Sequence, residues 1–141
     1  MRFAKNDVVR NSKKKVLLCD DSTLIILLVK SLIERYSDTI EIITAENGLI
    51  GYEKWLQGDI DFVITDLEMP ELCGWGLIEK LRDKNFDMKR IVVLSASLQS
   101  NVTPMAQKFG ILKYYIKPVM NADIIEIVNI INNLESKIQL Q

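Results

Sequence analysis

The chain has 141 residues, 48% of them apolar and 26% charged, which is the size and composition of one globular domain and excludes a disordered or fibrous chain. A net charge of −1 gives no electrostatic reason to expect a nucleic-acid partner or membrane insertion. Histidine is absent, which excludes Ser-His-Asp and Cys-His nucleophilic systems and every histidine-containing metal site, so any chemistry must use carboxylates, hydroxyls and lysines.

Residues 1–14 read as a basic N-terminal extension in which Lys5, Arg10, Lys13 and Lys14 form a solvated arm leading to Lys15. Met1 to Ser12 holds no apolar core for a secretory signal, and the longest apolar stretch, Leu24 to Val29, is too short to span a bilayer. The run from Lys15 to Cys19 predicts a buried strand ending at Asp20-Asp21. Ser22 or Asp21 can cap the helix that follows, Leu24 to Tyr36. Ile40 to Ala45 is a second β-branched run, and Asn47 opens a helix through Trp55 with Gly58 as its stop.

Asp61 to Thr65 predicts a third buried strand ending at Asp66, followed by a turn-rich segment and an amphipathic helix from Leu77 to Arg82. Arg90 to Leu94 predicts a fourth strand ending at Ser95. Pro104 is best tolerated at a first helical position, so a short helix is expected from Pro104 to Phe109, capped by Thr103 and ended by Gly110. Lys113 to Ile116 is the last strand, ending at Lys117-Pro118, and Ala122 to Lys137 the last helix.

Near-continuous apolar strands alternating with helices predict an α/β fold: a doubly wound, five-stranded parallel sheet, (βα)5, in a flavodoxin-like three-layer sandwich. Residues 15–138 form this single domain. Ile124, Ile127, Val128, Ile131 and Leu134 make one stripe on the last helix, sufficient to dock on the sheet. Ile125 and Ile130 lie partly outside it, and apolar area beyond the core's needs would mark a partner or homodimer surface. Cys19 and Cys73 make neither a disulfide framework nor a zinc quartet, which fits a reducing, cytoplasmic setting. Trp55 and Trp75 read as helix-face packing.

In such sheets ligands bind outside the carboxyl ends of the strands. Asp20-Asp21, Asp66, Ser95 and Lys117 each end an apolar run, so the fold gathers them along one edge. Three carboxylates there repel one another unless a cation sits between them. Mg²⁺ fits, because it prefers oxygen ligands and binds through one or two carboxylates with phosphate oxygens and water. An Asp carboxylate is a competent phosphoryl acceptor, and Asp66, ending the central strand, is the best candidate.

Taken together, Leu17-Leu18-Cys19-Asp20-Asp21, Ile64-Thr65-Asp66-Leu67-Glu68-Met69-Pro70, Leu94-Ser95-Ala96 and Tyr114-Tyr115-Ile116-Lys117-Pro118 closely resemble response-regulator receiver domains of the two-component, chemotaxis-regulator type. The resemblance covers Lys15 to Leu134, in order and at family-like spacing. It implies that Asp66 is the phosphorylated residue and that Asp21 and Asp66 bind Mg²⁺ directly. Asp20 then acts through a bound water, and Glu68 through its backbone carbonyl. Ser95 matches the switch hydroxyl, Tyr114 the aromatic that swings inward with it, and Lys117-Pro118 the Lys-Pro whose bond is often cis.

Two positions depart from the family pattern: Cys73, where many receivers carry Asp, and Pro104, within the fourth helix. Ser97, close to the site, is a candidate for tuning phosphoryl lifetime. The partners implied are a histidine kinase or histidine phosphotransfer protein, because this chain cannot carry a phosphohistidine, and a downstream protein target. No output domain follows the fifth helix in this sequence, so output is expected to be protein–protein contact. The domain would be no enzyme beyond catalysing its own phosphorylation and dephosphorylation.

Two other classes use parts of the same pattern. A Mg²⁺-dependent phosphatase with an Asp nucleophile would want a second acid two positions on; Glu68 stands there, but no cap insertion exists to hold a substrate. A flavodoxin-like cofactor binder would want a Gly-rich loop after the first strand, where Asp20-Asp21 would repel a phosphate unless metal intervened.

Overall fold

Strands and helices alternate as expected through residues 13–134, the part of the chain that the computed structural model describes; the expectations for residues 1–12 and 135–138 lie outside it. The elements are β1 (Lys14–Cys19), α1 (Thr23–Tyr36), β2 (Ile40–Ala45), α2 (Gly48–Leu56), β3 (Phe62–Asp66), α3 (Gly74–Asp83), β4 (Ile91–Ser95), α4 (Gln99–Phe109), β5 (Lys113–Ile116) and α5 (Asn121–Asn132). All strand pairs are parallel, in the order β2-β1-β3-β4-β5.

Successive strand residues face opposite sides of a sheet, and here both sides are covered. Val16, Leu18, Phe62, Ile64, Val92 and Leu94 pack under α1 and α5. Leu17, Cys19, Val63 and Val93 pack under α2, α3 and α4. The apolar runs are continuous because both faces are core. Side-chain caps begin the first two helices: Ser22 Oγ accepts from the Ile25 N–H at 3.3 Å, and Asn47 Oδ1 from the Ile50 N–H at 2.8 Å.

Several boundaries differ from expectation. β3 begins one residue after Asp61, whose carboxylate instead accepts from the Lys15 N–H at 2.8 Å, and α3 begins at Gly74 rather than Leu77. Arg90 belongs to a short 3-10 turn, Met88–Arg90, ahead of β4. The fourth helix departs furthest, starting at Gln99 with Pro104 in its interior. Thr103 is no cap: its hydroxyl donates to the Gln99 carbonyl, 3.0 Å away. An interior proline costs about 3 kcal/mol. Val102, Ala106 and Phe109 are all buried on this helix, and burying Val102 and Phe109 contributes about 1.5–3 kcal/mol each. A start at Pro104 would leave Val102 off the stripe and forgo the bonds from the Asn101 and Val102 N–H groups to the Leu98 carbonyl at 2.9 and 3.2 Å, and it is this burial and these bonds together that offset the local preference.

The last helix ends at Asn132, short of the expected Lys137; Asn133 caps it, and residues 135–137 lie outside the described part. Ile131 is the last residue of the helix that reaches the core, and Asn132-Asn133 are poor helix formers. Ile124, Ile127, Val128 and Ile131 are buried and Leu134 packs beside them, so among the described residues this stripe is core and not a surface for a second copy. Ile125 alone among these is exposed.

Trp55 meets Phe86 edge-on at 5.6 Å, and Trp75 stacks on Phe109 at 5.7 Å. Cys19 is buried and Cys73 exposed, both as free thiols. Burial pushes the Cys19 thiol up to about 12, far from the reactive thiolate at neutral pH. A thiol-titrating disulfide reagent at pH 8 is therefore expected to react quickly with Cys73 in the native protein and with Cys19 only after urea is added. Rapid reaction of both in the native state would contradict this burial.

Candidate functional site

The strand order reverses direction at β1: the chain passes outward to β2, then returns to place β3 on the other side of β1. The carboxyl ends of β1 and β3 therefore flank the crevice where such sheets bind ligands. The sheet brings Asp20, Asp21 and Asp66 together there, with one carboxylate oxygen from each lying within 4.8 Å of the others. Asp20 is buried, held by its N–H to the Ala45 carbonyl at 3.1 Å and by the Ser22 N–H donating to Oδ1 at 2.9 Å. Asp21 is exposed. Asp66, also buried, accepts the Leu67 N–H on Oδ1 at 2.7 Å.

Lys117 enters from the loop after β5, across a cis bond to Pro118, with its N–H donating to the Ser95 carbonyl at 2.8 Å. Its Nζ lies 2.8 Å from Asp20 Oδ2 and 3.4 Å from Asp66 Oδ2. Burial is the largest single influence on Lys117 and favours the neutral amine, but the charges and hydrogen bonds of Asp20 and Asp66 together outweigh it and hold the lysine above its ordinary range. Asp66 is raised, first by burial and then by the Asp20 charge, with Lys117 and two backbone N–H groups acting against the shift. One ammonium therefore does not neutralise the cluster. An all-oxygen donor set carrying excess negative charge suits a hard divalent cation, so the residues present fit Mg²⁺.

The other expected residues stand around this cluster in different ways. Ser95, buried at the end of β4, accepts the Ser97 N–H on Oγ at 2.9 Å. The Glu68 carboxylate is not part of the acidic group; it accepts from the Ser97 hydroxyl at 3.2 Å. Tyr114 is half-buried on β5, and its hydroxyl is hydrogen-bonded to Thr103 on α4. That partnership escaped the sequence, because it depends on Pro104 lying inside the helix. A cleft of about 390 Å³ adjoins Leu67 and Glu68 and runs past Met69 and Cys73 to Asn101 and Val102 on α4.

A parallel sheet of this order, with a carboxylate cluster and a lysine at its switch point, defines a receiver domain. The chain belongs to the response regulator receiver domain family, whose sequence profile matches residues 16–129. It is 28% identical over 123 residues to chemotaxis protein CheY-3 of Vibrio cholerae, covering 85% of this chain and 92% of that one. It is also 28% identical over 133 residues to hybrid signal transduction histidine kinase D of Dictyostelium discoideum, covering 93% of this chain and 8% of the kinase. The solved response regulator receiver domain protein of Clostridium thermocellum shares the fold with a TM-score of 0.72 at 31% identity, over 84% of this chain and 94% of that one. Among the described residues no helix is long and apolar enough to cross a membrane.

Proposed function

We propose that this receiver domain is a phosphoacceptor switch, in which Asp66 takes a phosphoryl group from a phosphohistidine on a partner histidine kinase or histidine phosphotransfer protein. The observation that carries the reading is the convergence of Asp20, Asp21 and Asp66 on Lys117 at one sheet edge. Asp21 and Asp66, with the Glu68 backbone carbonyl and with Asp20 through a water, would hold Mg²⁺. When bound, the ion supplies charge neutralisation for the carboxylates and the phosphoryl oxygens.

An Asp66 oxygen forms the new bond to phosphorus as the donor's N–P bond breaks, and the electron pair of that bond stays on the imidazole nitrogen. Lys117 exchanges its contact with Asp66 for one with a phosphoryl oxygen. The Ser95 hydroxyl donates to another phosphoryl oxygen, and Tyr114 follows it inward, shifting a pre-existing equilibrium that a downstream protein reads. Water attack on phosphorus later returns the carboxylate and inorganic phosphate. The domain acts on no separate substrate. A phosphatase would need Glu68 free as an acid–base group, whereas its carboxylate is engaged with Ser97.

Support for a protein donor comes from α1, where Leu24, Leu27 and Leu28 are exposed at i, i+3 and i+4 starting three residues after Asp21. An apolar stripe beside the mouth of the site suits a docking helix. The reading sets the domain in the cytoplasm, where both thiols stay reduced.

Mass spectrometry after incubation with acetyl phosphate tests the proposal. One phosphoryl adduct that requires Mg²⁺ and disappears in Asp66→Asn is expected. An adduct that persists in Asp66→Asn, or donor hydrolysis that continues undiminished in Asp66→Asn, would overturn the reading.

A further inference from the structure

We infer that Thr103 is a positioning residue that holds the Tyr114 side chain on α4 and so weights the switch toward its unphosphorylated arrangement. This rests on the switching role proposed above for Tyr114.

Hydrogen counting fixes the direction of the contact. The Thr103 hydroxyl carries one hydrogen, and its bond to the Gln99 carbonyl at 3.0 Å uses it, because a carbonyl can only accept. The bond between the two hydroxyls must then run from the Tyr114 O–H to Thr103 Oγ1. The first bond fixes the threonine rotamer, so the second meets an acceptor already aimed at the ring.

The surrounding helix gives this contact leverage. The α4 N-cap, Leu98, offers no side-chain acceptor, and the first turn has no acidic residue. Pro104 lacks the N–H that would meet the Ser100 carbonyl one turn back. The start of α4 is therefore held by Val102 in the core, by the Leu98 carbonyl's bonds to the Asn101 and Val102 N–H groups at 2.9 and 3.2 Å, and by the hydroxyl pair that ties it to β5. Inward movement of Tyr114 must break that tie, and the loss falls entirely on the phosphorylated side of the equilibrium. Removing the tie relieves it.

Beryllofluoride, a tetrahedral mimic of an aspartate-bound phosphoryl group, tests this in titrations with Mg²⁺. Fluorescence of Trp75, which stacks on Phe109 of α4, supplies the readout. Thr103→Val is expected to bind about three- to tenfold tighter than wild type, the factor set by one hydrogen bond. Thr103→Ser, which keeps the hydroxyl, should stay within about twofold of wild type. Tyr114→Phe breaks the same bond from the other side and should also tighten binding, and adding it to Thr103→Val should bring no further gain. It also keeps the test open if the valine variant fails to fold. Equal affinities for wild type and Thr103→Val, or a serine variant that behaves like valine, would overturn the latch alone. Failure of the wild type to bind beryllofluoride would overturn the phosphoacceptor reading and the latch with it.

Discussion

Gly74→Ala is expected to lower the stability of the domain by about 3 kcal/mol, measured by urea unfolding, with reduced phosphoryl uptake at Asp66. A Cβ at Gly74 would lie 2.2 Å from the Asp66 carbonyl oxygen and 2.8 Å from the Leu67 Cα. Both are backbone atoms of the segment that carries the acceptor, so neither can turn aside as a side-chain tip would. The approach is this close because the Gly74 N–H donates to the Leu67 carbonyl at 2.8 Å, closing the β3–α3 loop on itself. Alanine must open that loop, which moves Asp66 and Glu68 together. Gly76→Ala is the control: its Cβ meets the end of the Leu72 side chain at 2.6 Å, which can rotate, and alanine favours the helix by about 1 kcal/mol. Equal stabilities for the two variants would show that the loop yields more easily than its hydrogen bond implies.

The strands were legible because each apolar run was bounded by a charged or turn-forming residue, and β2 and β5 fall at the expected residues. The acidic cluster was legible for a related reason, since a doubly wound sheet sends every strand end to one edge and Asp20-Asp21 and Asp66 are strand ends. The fourth helix was not. Pro104 carries a strong local preference, whereas the burial that helps override it comes from Val102 packing in the core cluster, which no local window contains. The Thr103–Tyr114 contact was hidden for the same reason: with the helix starting at Pro104, Thr103 reads as a cap on that helix, and nothing in a local window pairs it with a residue of β5. The pairing of Lys117 with Asp20 as well as Asp66 depends on side-chain direction, about which strand order is silent.

Lys117→Met is expected to destabilise the metal-free protein by about 3 kcal/mol at pH 7 and to slow phosphoryl uptake by about a hundredfold. Methionine keeps much of the apolar stem, so the loss is that of the ammonium. It leaves Asp20, 1% exposed, and Asp66, 7% exposed, facing each other without a fixed cation. The pH dependence has a definite sign. Lys117 is raised above its ordinary 10.5, so its contribution is complete below that value and is lost only as pH rises through the higher folded value. At pH 7 the wild type retains all of it. Asp66 is raised above its ordinary 3.8, so its ionisation works against folding increasingly as pH rises through the folded value. Removing the lysine strengthens that penalty, and the deficit of the variant should narrow as pH falls toward 3.8. Added Mg²⁺ should narrow it at constant pH by supplying the missing positive charge. Urea unfolding of both proteins at pH 7 and pH 5, in EDTA and in MgCl₂, measures all of these differences. A variant within about 1 kcal/mol of wild type at pH 7 in EDTA would mean that the lysine's charge does little for the fold and acts on the phosphoryl group alone.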